Sequence, residues 1–488
     1  MPASPSKSPP NSTLSLTRFV RRWTRYDVTS MSLKHLSSKI MPSKTVPAKN
    51  LCQWLSYLEA LHTSEIDLGL DRVLTVYRKM PISQIAGCVI VVGGTNGKGT
   101  TIAVMEALLH ASGKTVGCYT SPHIHHFNER IRLAGRDVSD KTLIDAFEVV
   151  EKHRGQVSLT YFEFSTLAAL YILSRQMPDY ALLEVGLGGR LDAVNIVDSD
   201  LSIITSVDID HQDWLGDSRE SIGFEKAGIM RLGGICVYGE VNPTKSIVQQ
   251  AAAQNVDLRI FGRDFGVLDP EKTHENLAFL AQNSAQQPAV PGKLTPVAYQ
   301  NAKGEYQRAD WSLHSIPISN RLCAIQALAL SGLNLSEIDS HRCIGQVAVP
   351  GRFEIDRDNP RFIFDVAHNV PAAAYLSQLL QTIKKQRQGK ILCLFSALQG
   401  KDSKGIVSLL DTTVDFWVTW PLAADRALSR EQLISALAGV ASSAESVSTV
   451  ERAVVRAESI AWNSSDTVLV LGSFHAVAEV KAFLANRR

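Results

Sequence analysis

The stretch CVIVVGGTNGKGTT, residues 88–101, decides the fold of this 488-residue chain. A β-branched apolar run (88–92) ends in a glycine-rich turn, Lys98 stands between two glycines, and a helical pattern (100–113) follows. Glycine lets the backbone N–H groups of such a turn surround an anion, and the lysine adds a positive charge. Strand, turn and helix in this order place a helix N-terminus against a phosphate. The stretch therefore predicts a nucleotide phosphate loop.

The predicted loop is not a standard Walker A motif. In that motif a glycine lies five positions before the Gly-Lys pair, and Ser or Thr follows the lysine directly. Here Val92 occupies the first of these positions, and Gly99 separates Lys98 from Thr100. The loop is therefore tighter than in that motif, and its hydroxyl group is displaced. A glycine turn without a ligand is the alternative interpretation.

Outward from this loop, strand patterns alternate with helical patterns in two series. The first series predicts strands at 88–92, 114–120, 180–186 and 201–207, and helices at 51–61, 100–113, 165–176 and 320–333. The second predicts strands at 362–366, 391–398, 415–420 and 466–474, and helices at 372–385 and 476–488. Such alternation is typical of α/β folds with a parallel sheet covered on both faces. Ligands of these sheets bind beyond the carboxyl ends of the strands.

The two series predict two α/β units and an N-terminal extension. The first unit, 51–347, would be a doubly wound P-loop-type ATPase domain, and the second, 348–488, a smaller Rossmann-like domain. Between the series, 283–293 is predicted to be a loop or β-hairpin. Residues 1–50 are rich in Ser, Pro, Arg and Lys with one acid, Asp27, and we predict disorder there. An organelle-targeting segment and a later true start are the alternatives.

Composition excludes several classes of function. Lys+Arg 50 against Asp+Glu 48 leaves a net charge of +2, which gives no support for nucleic-acid binding. The 7 cysteines are scattered without a CxxC pair, which favours reduced thiols over a disulfide or zinc framework. No apolar run approaches the roughly 18 residues that span a bilayer. We predict a cytoplasmic protein that binds neither nucleic acid nor membrane.

Polar residues follow the predicted strands of the first unit. Ser121 follows one strand, Glu184 ends the next, and His211 comes soon after a third. A carboxylate at the end of an apolar strand is costly unless it meets a cation, and magnesium prefers oxygen ligands and phosphates. Taken alone, Ser121 could occupy a simple turn and His211 could be a capping or core residue.

Further candidates lie later in the chain. Lys226 stands on a short helical segment, where composition alone favours a surface lysine. Arg352 precedes the second series, and Asp365 and His368 lie at the end of its first strand. Arg352 and Asp365 could clamp a nucleotide when two domains close. An ordinary ion pair between them is the alternative.

Taken together, these motifs resemble the folylpolyglutamate synthase and dihydrofolate synthase family, a branch of the Mur-ligase superfamily of ATP-dependent amide ligases. Any single motif is shared more widely, whereas the ordered set is specific. The resemblance runs from about residue 51 to the C-terminus. It rests on SYLEALHTSEIDLGLDRV (56–73), GTNGKGT (94–100), TSPH (120–123), SLTYFEFSTLAAL (158–170), LEVGLGGRLDAVNIV (183–197), DHQDWLG (210–216), EKAGIM (225–230), PGRFE (350–354), FDVAHN (364–369) and LGSFHAVAEV (471–480).

The resemblance implies roles for named residues. ATP would be held by Thr95, Asn96, Gly97, Lys98, Gly99, Thr100, Asn320, Arg352 and Asp365. Two magnesium ions are expected, with Ser121, Glu184 and His211 as ligands, and Lys226 matches a lysine that is carbamylated. Lys98, His211 and Lys226 would take part in catalysis. The pterin site of enzymes that accept dihydropteroate is matched by Glu65, Ile66, Asp67, Leu68, Thr160, Tyr161, Phe162, Glu163, Leu191, Asp192 and Ala193.

The resemblance thus implies a bifunctional enzyme, expected to be a monomer. With ATP as co-substrate, it would add L-glutamate to dihydropteroate and further glutamates to tetrahydrofolate through an acyl phosphate. A Mur-type ligase of peptidoglycan nucleotide precursors is one alternative, but it would need a UDP-binding domain that residues 1–50 are too short to form. A nonenzymatic nucleotide switch is another, but it has no need of Glu184, His211 and Lys226 together.

Overall fold

The computed structural model describes residues 49–64, 66–268, 295–311, 314–424 and 426–487. Disorder was predicted for residues 1–50, of which 1–48 lie outside these residues, whereas Asn50 caps the first helix. Glu65 of the predicted pterin site and the loop or hairpin predicted at 283–293 also lie outside them. The fold below refers to the described residues alone.

The first sheet has the strand order β4-β3-β2-β5-β1-β6-β7-β8. Its strands are β1 (Cys88–Gly93), β2 (Val116–Tyr119), β3 (Ile131–Leu133), β4 (Arg136–Asp137), β5 (Tyr180–Glu184), β6 (Leu201–Ile204), β7 (Ile235–Tyr238) and β8 (Asp257–Ile260). Six strands run parallel, and four of them, β1, β2, β5 and β6, confirm the predicted strands, whereas β7 and β8 were not predicted. The hairpin β3–β4 adds two antiparallel strands at one edge, which the sequence patterns did not predict.

Helices cover both faces of this sheet. One face carries α1 (Leu51–Glu59), α2 (Asp71–Tyr77), α4 (Asp140–Arg154), α5 (Tyr161–Gln176), α7 (Arg219–Ala227) and α8 (Lys245–Ala253), and the short α6 (Gln212–Leu215) precedes α7. The other carries α3 (Lys98–Ala111), α9 (Ile318–Leu330), α10 (Ser340–Gly345) and an antiparallel sheet of β9 (Gly266–Val267), β10 (Thr295–Gln300) and β11 (Tyr306–Trp311). We call these elements the first lobe.

The second sheet has the order β12-β13-β17-β14-β15-β16, parallel except for β12. Its strands are β12 (Glu354–Ile355), β13 (Phe362–Phe364), β14 (Ile391–Phe395), β15 (Phe416–Thr419), β16 (Ala444–Ser446) and β17 (Thr467–Leu471). Its helices are α11 (Val370–Arg387), α12 (Ser403–Leu410), α13 (Arg430–Leu437), α14 (Val450–Ile460) and α15 (Phe474–Asn486). We call these elements the second lobe. The strands of the two sheets fall on either side of residues 347 and 348, and the domain boundary there stays a prediction.

Burial on both faces explains why the central strands read as continuous apolar runs. In β1, Val89 and Val91 belong to the core on one face of the sheet, whereas Ile90 and Val92 belong to the core on the other. Successive side chains of a strand point to opposite faces, so a strand covered on both sides must be apolar throughout. The two-domain α/β fold class is therefore confirmed. No described helix is long and apolar enough to cross a membrane.

The central strand β5 offers a direct test of this core. Leu182 is fully buried in β5, and its truncation to alanine would leave a cavity. We expect Leu182→Ala to lower the free energy of unfolding by about 3 kcal/mol in urea or thermal unfolding. Leu232→Ala is the matched control, because Leu232 is 81% exposed and its loss should change that free energy by less than about 0.5 kcal/mol. Equal effects of the two substitutions would contradict the assigned core.

Candidate active site

Two glycines shape the loop between β1 and α3. Gly94 and Gly97 have φ values of 144° and 88°, a region that L-amino acids with a side chain rarely adopt. A Cβ atom on Gly94 would overlap the hydroxyl of Thr205, and one on Gly97 would overlap the amide of Asn320. Glycine is therefore required at both positions by backbone angle and by contact, as the sequence analysis expected of a phosphate loop.

Neighbouring elements fasten this loop on two sides. The hydroxyl of Thr95 donates to the carbonyl of Asp208 at 3.1 Å and accepts from the N–H of the same residue at 3.0 Å. On the other side, Asn320 of α9 donates through Nδ2 to Oγ1 of Thr100 at 3.0 Å, and Thr100 donates to the carbonyl of Gly97 at 2.9 Å. The N-terminus of α3 is thus held rigidly at the carboxyl edge of the sheet.

The half-buried Lys98 and the buried Glu184 lie at this edge without a direct ion pair between them. Lys98 Nζ donates to the carbonyls of Gly94 at 3.0 Å and Thr95 at 3.4 Å. Burial lowers the pKa of Lys98, although Glu184 opposes that shift. Glu184 is 5% exposed, and its own burial raises the pKa of its carboxyl group. A buried charge is costly unless it is compensated, so both side chains are placed to meet charges of a ligand.

Asp210 links the end of β6 to the second lobe. Its carboxylate lies 2.5 Å from Nζ of Lys401, 3.8 Å from Nε2 of His368 and 3.9 Å from Nε2 of His211. Desolvation raises the pKa of Asp210, but the His211, Lys401 and His368 groups outweigh it and hold that pKa at about 2. Asp210 is therefore ionised at neutral pH and anchors Lys401 beside His211.

His211 is neutral at physiological pH. Desolvation, opposed by Asp210 and reinforced by nearby lysine ammonium groups, lowers the pKa of His211 to about 4. A neutral imidazole keeps a lone pair that can bind a metal ion. The side chain is 44% exposed, so it is open to a ligand.

Composition alone predicted that Lys226 lies on the surface, and this prediction is wrong because the side chain is buried. It lies on α7 and is 3% exposed. Its Nζ makes no hydrogen bond or ion pair with any residue that the structure describes. Burial, reinforced by Lys98, lowers the pKa of Lys226 to about 7. A large fraction of the side chain is therefore the neutral, nucleophilic amine at neutral pH.

The predicted metal ligands are chemically suited to a divalent cation. The N–H of Ser121 donates to Oε2 of Glu184 at 3.0 Å, and Oε1 of Glu184 accepts no hydrogen bond within the described ranges. Glu184 and His211 share Lys98 as an electrostatic neighbour. A hydroxyl and a carboxylate supply the oxygen ligands that magnesium and manganese prefer, and the neutral imidazole adds a nitrogen donor. The donor types therefore fit such an ion, although the described residues hold no cluster of three or more His, Cys, Asp or Glu side chains.

A cavity of about 690 Å³ lies between the two lobes. This volume is within the range of small-molecule sites. Of the predicted ATP residues, it is lined by Asn96, Gly97, Thr100, Asn320, Arg352 and Asp365. Other lining residues carry no sequence signal that predicts them, among them Arg219, Glu240, Val241, Asn242, Tyr375 and Leu376. These come from segments without a recognisable motif, and only the fold brings them together.

Asp365 shapes the turn that carries Arg352. Its two carboxylate oxygens accept the N–H groups of Phe353 and Ala367, each at 2.8 Å. Phe353 has a φ of 47°, an unusual value for a residue with a side chain, and the hydrogen bond to Asp365 holds it there. No ion pair joins Arg352 to Asp365. The guanidinium lies at the cavity wall, 5.6 Å from the ring of Phe474. Burial raises the pKa of Asp365, and the charge of Arg352 opposes that shift.

A reciprocal amide pair joins the phosphate loop to the second lobe. Asn96 Nδ2 donates to Oδ1 of Asn369 at 3.1 Å, and Asn369 Nδ2 donates to Oδ1 of Asn96 at 3.0 Å. Asn369 also caps α11 by accepting from the N–H of Ala372. Asn369 and Lys401 follow strands of the second sheet, so their positions at strand ends were the available signal, and the sequence analysis did not use it.

The predicted pterin residues form a second cluster on the first lobe. Arg72 contacts Asp67 at 2.7 Å and Glu163 at 3.2 Å, and so joins two of the three segments. Asp192, in the third, caps a short 3-10 helix, and its burial raises its pKa to about 6. Asp192 is also an electrostatic neighbour of Lys98, so this cluster approaches the phosphate loop. None of its described members lines the interlobe cavity.

Comparison with known families gives two domain matches. The profile described as Mur ligase middle domain matches residues 92–279, and that described as Mur ligase, glutamate ligase domain, matches residues 351–474. The dihydrofolate synthase/folylpolyglutamate synthase of Escherichia coli (strain K12) is 39% identical over 90% of this chain and 97% of its own length. The protein of the same name from Haemophilus influenzae is 36% identical over 88% of this chain and 96% of its own.

Solved structures of proteins from the same family are also similar to this chain. E. coli FolC in complex with DHPP and ADP has a TM-score of 0.80 and 38% identity, covering 90% of this chain and 99% of that chain. The bifunctional folylpolyglutamate synthase/dihydrofolate synthase from Yersinia pestis, complexed with AMPPNP and Mn ion, has a TM-score of 0.78 and 37% identity. That match covers 91% of this chain and 100% of the other. The family resemblance found in the sequence is confirmed.

The lowered pKa of Lys226 predicts a pH-dependent stability. Between about pH 7 and the ordinary lysine value of 10.5, the unfolded chain holds a proton at Lys226 that the folded chain lacks. Stability contributed at this residue must therefore rise with pH across that window and stay flat below it. In carbon-dioxide-free buffer, we expect the unfolding free energy of wild type, relative to Lys226→Met, to increase from pH 7 to pH 10. A constant difference over that range would show that Lys226 titrates normally.

Proposed function

The chain belongs to the dihydrofolate synthase/folylpolyglutamate synthase family of Mur ligases, and from that premise we propose that it joins L-glutamate to dihydropteroate and to tetrahydrofolate. ATP is the co-substrate. One observation carries the proposal: the phosphate loop and the Arg352 turn, from different lobes, line the same cavity, and the buried Glu184 lies beside Gly99 of that loop. The complexes of the relatives with ADP, AMPPNP, DHPP and L-glutamate support the assignment.

ATP binds between the lobes in this proposal. The N-terminus of α3 and Lys98 hold the phosphates, because oriented N–H groups and a half-buried ammonium attract negative charge. Asn320 contacts the nucleotide from the first lobe, while Arg352 and Asp365 contact it from the second. The amide pair of Asn96 and Asn369 already joins the lobes beside this position.

Magnesium is the proposed metal, at two sites that include Ser121, Glu184 and His211. When bound, it neutralises phosphate charge and orients the γ-phosphoryl group. The neutral amine of Lys226 attacks carbon dioxide, forms an N–C bond and releases one proton, which yields a carbamate. The side chain then carries a negative charge that a nearby metal cation can compensate. The cost of burying an unpaired ammonium group is thereby removed.

The reaction needs an activated acid, because a carboxylate is a poor acyl donor to an amine. Its oxygen attacks the γ-phosphorus of ATP, ADP leaves, and an acyl phosphate results. The amine of L-glutamate then attacks the acyl carbon, phosphate leaves, and the amine loses a proton. Lys98 and the α3 N-terminus stabilise the charge that moves during phosphoryl transfer. Contact between the lobes excludes water, which would otherwise hydrolyse the intermediate.

The pterin cluster on the first lobe would hold the acid substrate. Arg72 joins residue 67 to Glu163 there, and Asp192 lies in the electrostatic range of Lys98. A substrate seated on this cluster therefore directs its acid group toward the phosphate loop. Residues that match the pterin site of dihydropteroate-accepting enzymes favour a bifunctional enzyme over one that only extends folate tails. We further propose a monomer, because one chain supplies both walls of the cavity; the cytoplasmic location stays a prediction.

Incorporation of labelled glutamate tests the two activities. Purified protein with ATP and magnesium should incorporate glutamate when offered dihydropteroate and, separately, when offered tetrahydrofolate. Incorporation with tetrahydrofolate alone would reduce the function to tail extension. Incorporation with neither acceptor would refute the proposal.

Arg352 tests the contribution of the second lobe. Removing its guanidinium takes away one donor to the charge of the transferring phosphoryl group, so we expect Arg352→Ala to lower kcat about 100-fold. The melting temperature should hardly change, since no hydrogen bond of the Arg352 side chain holds the fold. Arg357→Ala is the matched control, because Arg357 is exposed and lies beyond the cavity. Wild-type kinetics in Arg352→Ala would remove Arg352 from the mechanism.

Carbamylation of Lys226 has a spectroscopic test. Protein incubated with isotopically labelled bicarbonate should show a carbamate carbon signal by NMR. The signal should vanish in Lys226→Met and persist in Lys245→Met, because Lys245 is exposed on α8. A signal that survives in Lys226→Met would place the modification elsewhere.

A further inference from the structure

A side chain of the first lobe is built into the core of the second. Ile124, on the segment between β2 and β3, is 9% exposed and belongs to an apolar cluster whose other buried members come from the second lobe. Phe364, Val366 and Val477 are among those members. An isoleucine that leaves its own lobe to complete another core fixes the relative position of the two.

The first lobe holds this segment rigidly from behind. The carboxylate of Glu129 accepts the N–H groups of Ile124, His125 and His126, each at 2.8 Å. Arg130, which is 9% exposed, donates through Nε to His123 Nδ1 at 2.9 Å. With three backbone donors bound to one carboxylate, the loop presents Ile124 in one defined conformation.

The terminal methyl group of Ile124, Cδ1, packs against the turn that carries Arg352. A Cβ atom built on Gly351 would lie 2.9 Å from Cδ1 of Ile124 and 2.8 Å from Cγ1 of Val366. Gly351 has a φ of 66° and donates its N–H to Glu354 at 2.7 Å. The backbone immediately before Arg352 is therefore packed directly against the end of the Ile124 side chain.

The same segment begins at the proposed metal site. Ser121, three residues before Ile124, donates its N–H to Glu184. One short and well-braced stretch thus touches Glu184 at one end and the Arg352 turn at the other. These contacts connect the two lobes through residues 121–124 and Gly351, none of which lines the nucleotide cavity.

We propose that Ile124 is a positioning residue that sets the Arg352 turn relative to Glu184, so that both lobes grip the same triphosphate. This inference rests on the proposed function, because it assigns Arg352 to the phosphates. Ile124 touches neither substrate nor metal in this role. Reactions of this kind lose rate steeply when a group is misplaced, by up to about 100-fold for a shift of roughly 1 Å.

The test removes the contact in two steps. Ile124→Val deletes Cδ1, the atom that faces Gly351, and carries little risk of misfolding, whereas Ile124→Ala deletes the whole contact. Ile406→Val and Ile406→Ala are the matched controls, because Ile406 is fully buried on α12 in the core on the opposite face of the second sheet. For each variant, kcat, KM for ATP and pterin, melting temperature and Kd for AMPPNP with magnesium are measured.

We expect kcat to fall about tenfold in Ile124→Ala and severalfold in Ile124→Val, with a matching rise in Kd for AMPPNP. KM for the pterin should stay unchanged, because the pterin cluster lies in the first lobe. The Ile406 variants should lower the melting temperature at least as much and leave kcat and Kd near wild type. That difference separates positioning from core packing.

The Kd for AMPPNP distinguishes failure of this inference from failure of the proposed function. If the Ile124 and Ile406 variants lose melting temperature alike and keep wild-type kcat and Kd, the inference is overturned. If wild type incorporates no glutamate, the proposed function fails, while the AMPPNP affinity of the Ile124 variants still tests the positioning role.

Discussion

Buried charge without a direct ion partner is the constraint from which this site is built. Lys98 bonds only to backbone carbonyls, Glu184 receives one backbone N–H, and the amine of Lys226 has no bonding partner among the described residues. Each arrangement is unfavourable in an isolated protein, because desolvated charge needs compensation. The lowered pKa values of both lysines and the raised value of Glu184 express that penalty. A nucleotide with its metal supplies the missing charges.

The parallel sheet makes this concentration of charge possible. Strands β1, β2, β5 and β6 lie side by side, so the residues that follow them meet at a single edge. The mainly apolar strands provide a rigid base covered on both faces, and the candidate functional residues stand where the strands stop. Contacts of the second lobe with the first include an amide pair at Asn96, an ion pair at Asp210 and apolar packing at Ile124. The hydroxyl of Tyr375 also donates to the carbonyl of His314.

Much of this could be predicted from the sequence, because the central strands are continuous apolar runs and each carries its functional residue at one end. Both sheets, the phosphate loop and the position of Glu184 follow from that pattern. The burial of Lys226 could not be predicted, because it depends on how α7 packs and not on neighbours in the chain. The contacts of Asn96 with Asn369 and of Lys401 with Asp210 join residues roughly two to three hundred positions apart. Local periodicity carries no information about such pairs. The edge hairpin β3–β4 was missed because its strands are too short to show a pattern.

A crystal structure of the chain with AMPPNP and magnesium tests the central claim most directly. The account predicts a triphosphate in the interlobe cavity, contacted by Lys98 from one side and by Arg352 from the other, with metal bound to Glu184. A nucleotide bound elsewhere, or one that leaves Lys98 and Glu184 without contact to phosphate or metal, would contradict it.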